Sequence, residues 1–176
     1  ERAKGGVGLI IPGCCRVDDM NPASFTQLAM THDYQIPSMT RLVERVHKHG
    51  AKLCIQLHHA GRQGYGCCNN SIPMVIPMVK VFPGIMDVMY KAAPALYNLE
   101  QEKGLTFTVQ APSKGELSKH AGTRIRAMTK KEIKKQIQNF IEAAVRCKKA
   151  GVDAVELHGA HGYLLQQFMS PHTNRR

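Results

Sequence analysis

Apolar positions along this chain recur in two rhythms, continuous short runs and a spacing of three to four, and they alternate. Val7-Gly8-Leu9-Ile10-Ile11 is an unbroken apolar run between Gly5-Gly6 and Pro12-Gly13. It predicts a strand buried on both faces. Residues 38–49 place Leu42, Val43 and Val46 among Arg41, Glu44, Arg45 and Lys48, and Gly50 follows. That predicts a helix ended by a left-handed glycine, with a second strand over 52–57. Thr129-Lys130-Lys131-Glu132 fits a capping box. Ile133, Ile137, Phe140, Ile141 and Ala144 then recur on one helical face until Gly151, and a third strand is predicted over 152–158. A short helical run, 164–169, closes the pattern.

Strands alternating with helices imply βαβ units with right-handed crossovers, hence a parallel sheet. The two helix-to-strand passages also resemble each other. Gly50 leads to Gln56-Leu57-His58-His59-Ala60-Gly61, and Gly151 leads to Glu156-Leu157-His158-Gly159-Ala160-His161-Gly162. Both polar clusters fall at the C-terminal ends of their strands, where α/β barrels and doubly wound sheets place ligands. Between them, residues 64–112 hold Pro73, Pro77, Pro83, Pro94 and Pro112 and read as irregular, with a short helix near 85–93. Loops of that length serve as lids or are ill-packed insertions, and both readings stay open.

Composition narrows the class without naming a function. The 176 residues are 43% hydrophobic and 21% charged, as in an ordinary globular domain, which excludes collagen-like, coiled-coil and wholly disordered chains. The net charge of +11 permits anionic partners. However, Lys130, Lys131, Lys134, Lys135, Lys148 and Lys149 fall largely off the apolar stripe of their helix, so the excess reads as a solvated face and no nucleic-acid partner is expected. The most apolar stretch, 72–86, is interrupted by Pro73, Pro77, Lys80 and Pro83 and falls short of the ~20 residues of a membrane span. No initiator Met and no secretory signal open the chain. Cys14-Cys15, Cys54, Cys67-Cys68 and Cys147 form neither a metal knuckle nor a disulfide ladder, which points to reduced thiols and a cytoplasmic setting.

The chemistry concentrates at the strand ends. His158-x-x-His161 with Tyr163 sets two imidazoles and a phenol close in sequence, able to bind a carbonyl oxygen and deliver a proton, or to bind a metal. Gln56 offers both an acceptor and a donor to the paired edge of a heterocycle, or else an internal hydrogen bond to the neighbouring strand.

Here the chain resembles a family. Residues 2–11 (Arg-Ala-Lys-Gly-Gly-Val-Gly-Leu-Ile-Ile), Gln56-Leu57-His58-His59-Ala60-Gly61-Arg62, Glu156-Leu157-His158-Gly159-Ala160-His161-Gly162-Tyr163-Leu164 and Phe168-Met169-Ser170-Pro171-His172-Thr173-Asn174-Arg175 look like the old yellow enzyme family, in its enoate reductase and 2,4-dienoyl-CoA reductase branch. The resemblance covers 1–63 and 111–176. It implies an FMN-binding (β/α)8 barrel in which FMN takes hydride from NADH or NADPH and passes it to an alkene conjugated to a carbonyl or carboxylate. Carried over, Gln56 would hydrogen-bond the pyrimidine edge of the flavin and Cys14 would form the wall beside the ring. His158 and His161 would hold the substrate's carbonyl oxygen, and Tyr163 would protonate the α-carbon.

A complete barrel needs ~250 residues, so the expectation for 1–176 is an α/β partial TIM barrel, parallel strands two to four of eight, with 64–110 as an insertion or lid-like loop. Larger members of the branch also carry an iron–sulfur cluster and a second flavin (FAD) domain, and no cysteine here matches that cluster. Two other readings stand beside this one: a metal-dependent barrel hydrolase using His58, His158 and His161, and a non-catalytic fragment of a barrel protein. Taken alone, three strands of a barrel would expose two sheet edges, so residues 1–176 by themselves are expected to bind FMN weakly or not at all, to reduce no alkene, and to aggregate or pair with themselves.

Overall fold

The computed structural model describes residues 1–19, 21–23, 27–64, 99–100, 106–115 and 124–176. They divide into two compact units, residues 1–17, 27–58 and 132–158 in the first and 18–26, 59–131 and 159–176 in the second.

The first unit is a parallel sheet with helices on one face. Its strands are β1 (Leu9–Ile10), β2 (Cys15–Arg16), β3 (Leu28–Ala29), β4 (Lys52–His58) and, much later in the chain, β8 (Ala154–Leu157). β4 is central: β1 and β2 pair with it on one side, β8 pairs with it on the other, and β3 adds outside β2. β1 meets the start of β4, with Leu9 opposite Lys52, and β2 meets its end, with Arg16 opposite His58. The two short strands are therefore one sheet position interrupted at Pro12-Gly13, where proline has no N–H to give the ladder. The sequence reading placed one strand over 7–11, buried on both faces. Only Leu9 and Ile10 are strand, and Val7, Leu9 and Ile11 are 43%, 50% and 45% exposed, because no further strand pairs outside them among the described residues.

Helix α1 (Ile36–His47) begins after a 3-10 turn, Asp33–Gln35, where the His32 N–H donates to Gln35 Oε1 at 2.9 Å. Pro37 sits in its first turn, where no N–H is needed. Gly50 ends this passage at φ +76, and Gly151, after α2 (Lys130–Lys149), has φ +86; both are left-handed stops as expected. Met39, Val43 and Val46 of α1 and Ala143, Cys147 and Ala150 pack in one core with Leu53, Ile55 and Leu57 of β4. Alternation along β4 then sends Cys54, Gln56 and His58 to the opposite face.

The expected stripe of α2 is only partly right. Phe140 and Ala144 pack against the core, but Ile137 and Ile141 are 58% and 51% exposed, while Gln136, Ala143 and Cys147 are buried. The lysines of α2 are exposed, as a solvated face requires.

At the N-terminal end of β4, Asp153 Oδ2 accepts from the Leu53 N–H at 2.9 Å and from His47 Nε2 at 2.7 Å, and Oδ1 meets Lys52 Nζ at 3.0 Å. The carboxylate thus joins the strand, the end of α1 and the turn into β8. Nearby, Arg146 of α2 donates to Asp33 Oδ1 at 2.7 Å and to the Met30 carbonyl at 3.3 Å.

The second unit contains β5 (Leu99–Glu100), β6 (Thr106–Ala111) and β7 (Arg124–Ala127), with β5 antiparallel and β7 parallel to β6. β6 falls inside the stretch read from the sequence as irregular. The helix expected near 85–93, Cys67-Cys68 and most of the lid-like 64–110 lie outside the described residues. A 3-10 turn, Gly61–Gln63, and helix α3 (Leu164–Met169), the latter as expected, complete this unit.

Candidate active site

The first unit gathers polar side chains on the face of the sheet opposite its helices, toward the C-terminal ends of the strands. Gln56 on β4 lies opposite Glu156 on β8, and its Nε2 donates to Glu156 Oε1 at 2.5 Å. Two residues on, His58 is fully buried, and Gln27 Nε2 donates to its Nδ1 at 2.9 Å. The same Gln27 nitrogen donates to Cys14 Sγ at 3.3 Å. The ring of His158 lies 5.4 Å from that of His58, tilted by 57°. Of the residues singled out from sequence, Cys14 and His158 are therefore linked through Gln27 and His58, while Gln56 is held by Glu156.

The second unit holds His161 and Tyr163. His161 is exposed and is the sole non-glycine residue with positive φ, +58, among the described residues; Gly162 follows at +73. Consecutive left-handed residues cost energy outside glycine, and such strain clusters at functional sites. Several bonds hold the turn. Gln63 Nε2 donates to the His161 carbonyl at 2.8 Å, and Gln167 Nε2 donates to the Gly162 carbonyl at 2.6 Å and the Ala60 carbonyl at 3.3 Å. Gln167 Oε1 accepts the Arg62 N–H at 3.1 Å. A side chain at Gly61, whose φ is +58, would displace the Gln167 amide, because a Cβ there would stand 2.3 Å from that oxygen. The half-buried Tyr163 enters α3, whose first residue, Leu164, donates its N–H to the His59 carbonyl at 3.1 Å.

His59 is also buried. Its Nδ1 accepts the Gly61 N–H at 3.0 Å, so a neutral ring carries its proton on Nε2, 3.5 Å from Asp18 Oδ2. This pair fixes the turn after β4.

Burial pushes the Cys15 thiol far up and the Cys147 thiol up to about 11. Cys54 is raised first by burial and then by the neighbouring Glu156 carboxylate. These three are inert packing thiols. Among the described residues no group of three His, Cys, Asp or Glu side chains can hold a metal ion. No described helix is long and apolar enough to cross a membrane.

Gln27, Glu156 and Asp18 escaped the sequence reading as site residues. Glu156 had a signal: it stands two residues before His158, on the same side of the chain by strand alternation. Gln27 had none.

A parallel β/α sheet with polar side chains gathered at the C-terminal ends of its strands defines the class, an α/β protein of the barrel or doubly wound kind. The comparisons make this specific. The family model for the NADH:flavin oxidoreductase / NADH oxidase family matches residues 1–176, and the chain belongs to that family. It is 39% identical over 176 residues to an NADH oxidase of Thermoanaerobacter brockii, covering 99% of this chain and 22% of the relative. To an NADPH dehydrogenase of Listeria monocytogenes serotype 4a it is 35% identical, covering 100% and 40%. Among solved structures it superposes on an Old Yellow Enzyme from a Pichia species with a TM-score of 0.68 at 25% identity, covering 99% of this chain and 39% of that one. The chain thus spans well under half the length of these relatives.

FMN and a nicotinamide nucleotide fit this family, and the donor set tests that fit locally. With one Nε2 hydrogen on Glu156, the half-buried Gln56 keeps its carbonyl oxygen and a second N–H without a protein partner among the described residues. An acceptor beside a donor matches the N3–H and carbonyl edge of a flavin pyrimidine ring.

Proposed function

We propose that this chain forms part of an FMN-dependent NAD(P)H oxidoreductase of the ene-reductase type, acting on a small molecule whose alkene is conjugated to a carbonyl or carboxylate. The observation that carries the reading is the ordered set Gln56, His158, His161 and Tyr163 in a chain that the family model matches from end to end. Bound FMN supplies hydride transfer between the nicotinamide and the alkene. Gln56 holds the pyrimidine edge, and Cys14 forms the wall beside the ring. His158 and His161 donate to the substrate's carbonyl oxygen, which polarises the alkene and stabilises the enolate that develops. Tyr163 gives its phenol proton to the α-carbon; an ordinary phenol, pKa ~10, is protonated at neutral pH. The setting that goes with this reading is the cytoplasm, where thiols stay reduced.

Tyr163→Phe in the intact protein tests the reading. Only alkene reduction needs the phenol proton, so that half-reaction slows by roughly 10²–10⁴-fold while flavin reduction by the nicotinamide stays near wild type. Stopped-flow absorbance separates the two, and an unchanged alkene rate rejects the role of Tyr163.

A further inference from the structure

We propose that Glu156 is a positioning residue for the flavin: across the β4·β8 ladder its carboxylate locks the Gln56 amide with the carbonyl oxygen turned to the ring. This rests on the reading of Gln56 as the pyrimidine contact.

A primary amide can flip, exchanging oxygen for nitrogen at almost no cost in shape. A free glutamine would therefore show a flavin either a donor or an acceptor. A carboxylate oxygen only accepts, so the 2.5 Å contact with Glu156 Oε1 admits the Gln56 nitrogen alone. The paired register of residues 56 and 156 makes the contact a fixed feature of the sheet. Gln56 Oε1 must then point away from Glu156, ready to accept from the flavin N3–H.

A second observation argues against a merely structural carboxylate. Glu156 is half-buried and has no cationic partner among the described residues, whereas a carboxylate withdrawn from water is ordinarily paired. Its charge reaches this face of the sheet, since it helps to raise the Cys54 thiol. That charge, one hydrogen bond away from Gln56, would oppose the build-up of negative charge on a reduced ring held by Gln56, one of the ways a protein tunes a flavin.

The test compares wild type, Glu156→Gln and Glu156→Asp in the intact protein, with FMN and N3-methyl-FMN as probes. Binding is read by fluorescence quenching and the midpoint potential by dye-coupled reduction. Wild type prefers FMN over the N3-methyl form. Glu156→Gln, whose new amide can donate or accept, weakens FMN by roughly three- to ten-fold, the worth of one ordinary hydrogen bond. It also erases much of the preference and raises the midpoint potential. Glu156→Asp keeps the negative charge, restores the potential and retains part of the preference; should Glu156→Gln not fold, the partial loss of preference in Glu156→Asp carries the test. Wild-type affinity, preference and potential in Glu156→Gln overturn the role of Glu156 while leaving Gln56 as a flavin contact. A wild-type protein that binds no FMN, or a Gln56→Ala variant with unaltered preference, overturns the flavin reading and this proposal with it.

Discussion

The passages α1–β4 and α2–β8 are built to one plan, a helix stopped by a left-handed glycine and a strand ending in a polar cluster, yet they bury very different amounts. On β4, Leu53, Ile55 and Leu57 are 0–1% exposed, and α1 buries Met39, Val43 and Val46. On β8, Val155 and Leu157 are 42% and 58% exposed, and α2 leaves Ile137, Ile141 and Val145 in water. Local sequence does not explain the difference, since both strands are apolar and both helices amphipathic. Position does. Among the described residues β4 has ladder partners on both sides and β8 on one, so burial is conferred by neighbours that each passage does not itself encode.

The largest effect expected from this contrast is at matched strand positions. Leu57 and Leu157 lie opposite each other in the ladder. Leu57→Ala opens a cavity in the core and costs about 2–5 kcal/mol. Leu157→Ala, at a largely exposed site, stays within about 0.5 kcal/mol. Urea unfolding of the two variants of residues 1–176 measures both, and equal losses would show that the two passages are buried alike.

A smaller effect concerns the joint between the passages. Asp153 is held well below the usual carboxylate range, first by the Leu53 N–H, then by His47 and Lys52. A depressed folded-state value means the carboxylate stabilises the fold fully above its unfolded value of ~3.9 and loses that contribution as pH falls toward the folded one. Asp153→Asn is therefore less stable than wild type at neutral pH, and the gap closes on acidification below about pH 4. Thermal melts from pH 7 down to pH 2 check the sign. A gap that widens with acid contradicts it.

How much of this was legible in the sequence follows from the same contrast. α1, β4, α2 and α3 were found because apolar periodicity and the glycines at 50 and 151 are local signals. The interrupted edge was not. Pro12-Gly13 reads as an end, whereas Cys15 and Arg16 resume the pairing only because β4 runs past them to Leu57 and His58. β6 was hidden within a proline-rich stretch. Gln56, His158, His161 and Tyr163 stood out because strand ends collect polar residues in runs. The bonds that Gln27 makes to Cys14 and His58, and Glu156 to Gln56, join residues 13, 31 and 100 positions apart, and spacing carries no trace of them.

The smallest effect on stability is expected on the exposed stripe of α2, where it sharpens the comparison through a different observable. Ile137, Ile141 and Val145 recur every four residues and so line one side of the helix, all well exposed. An apolar stripe in water favours contact with another apolar surface, and the edge of β8, which no other described strand pairs with, offers backbone groups for the same association. Residues 1–176 are therefore expected to self-associate at micromolar concentration. Ile137→Ser with Ile141→Ser removes little packing, so the melting temperature stays close to wild type. The weight-average mass from sedimentation velocity falls toward the 19.5 kDa of one chain. The matching change on α1, Val43→Ser at a buried position, does the reverse: it lowers the melting temperature and leaves no folded monomer to gain. If the double serine variant associates as strongly as wild type, the stripe is not the sticky surface, and the association must come from elsewhere, such as the β8 edge or the exposed Val7, Leu9 and Ile11.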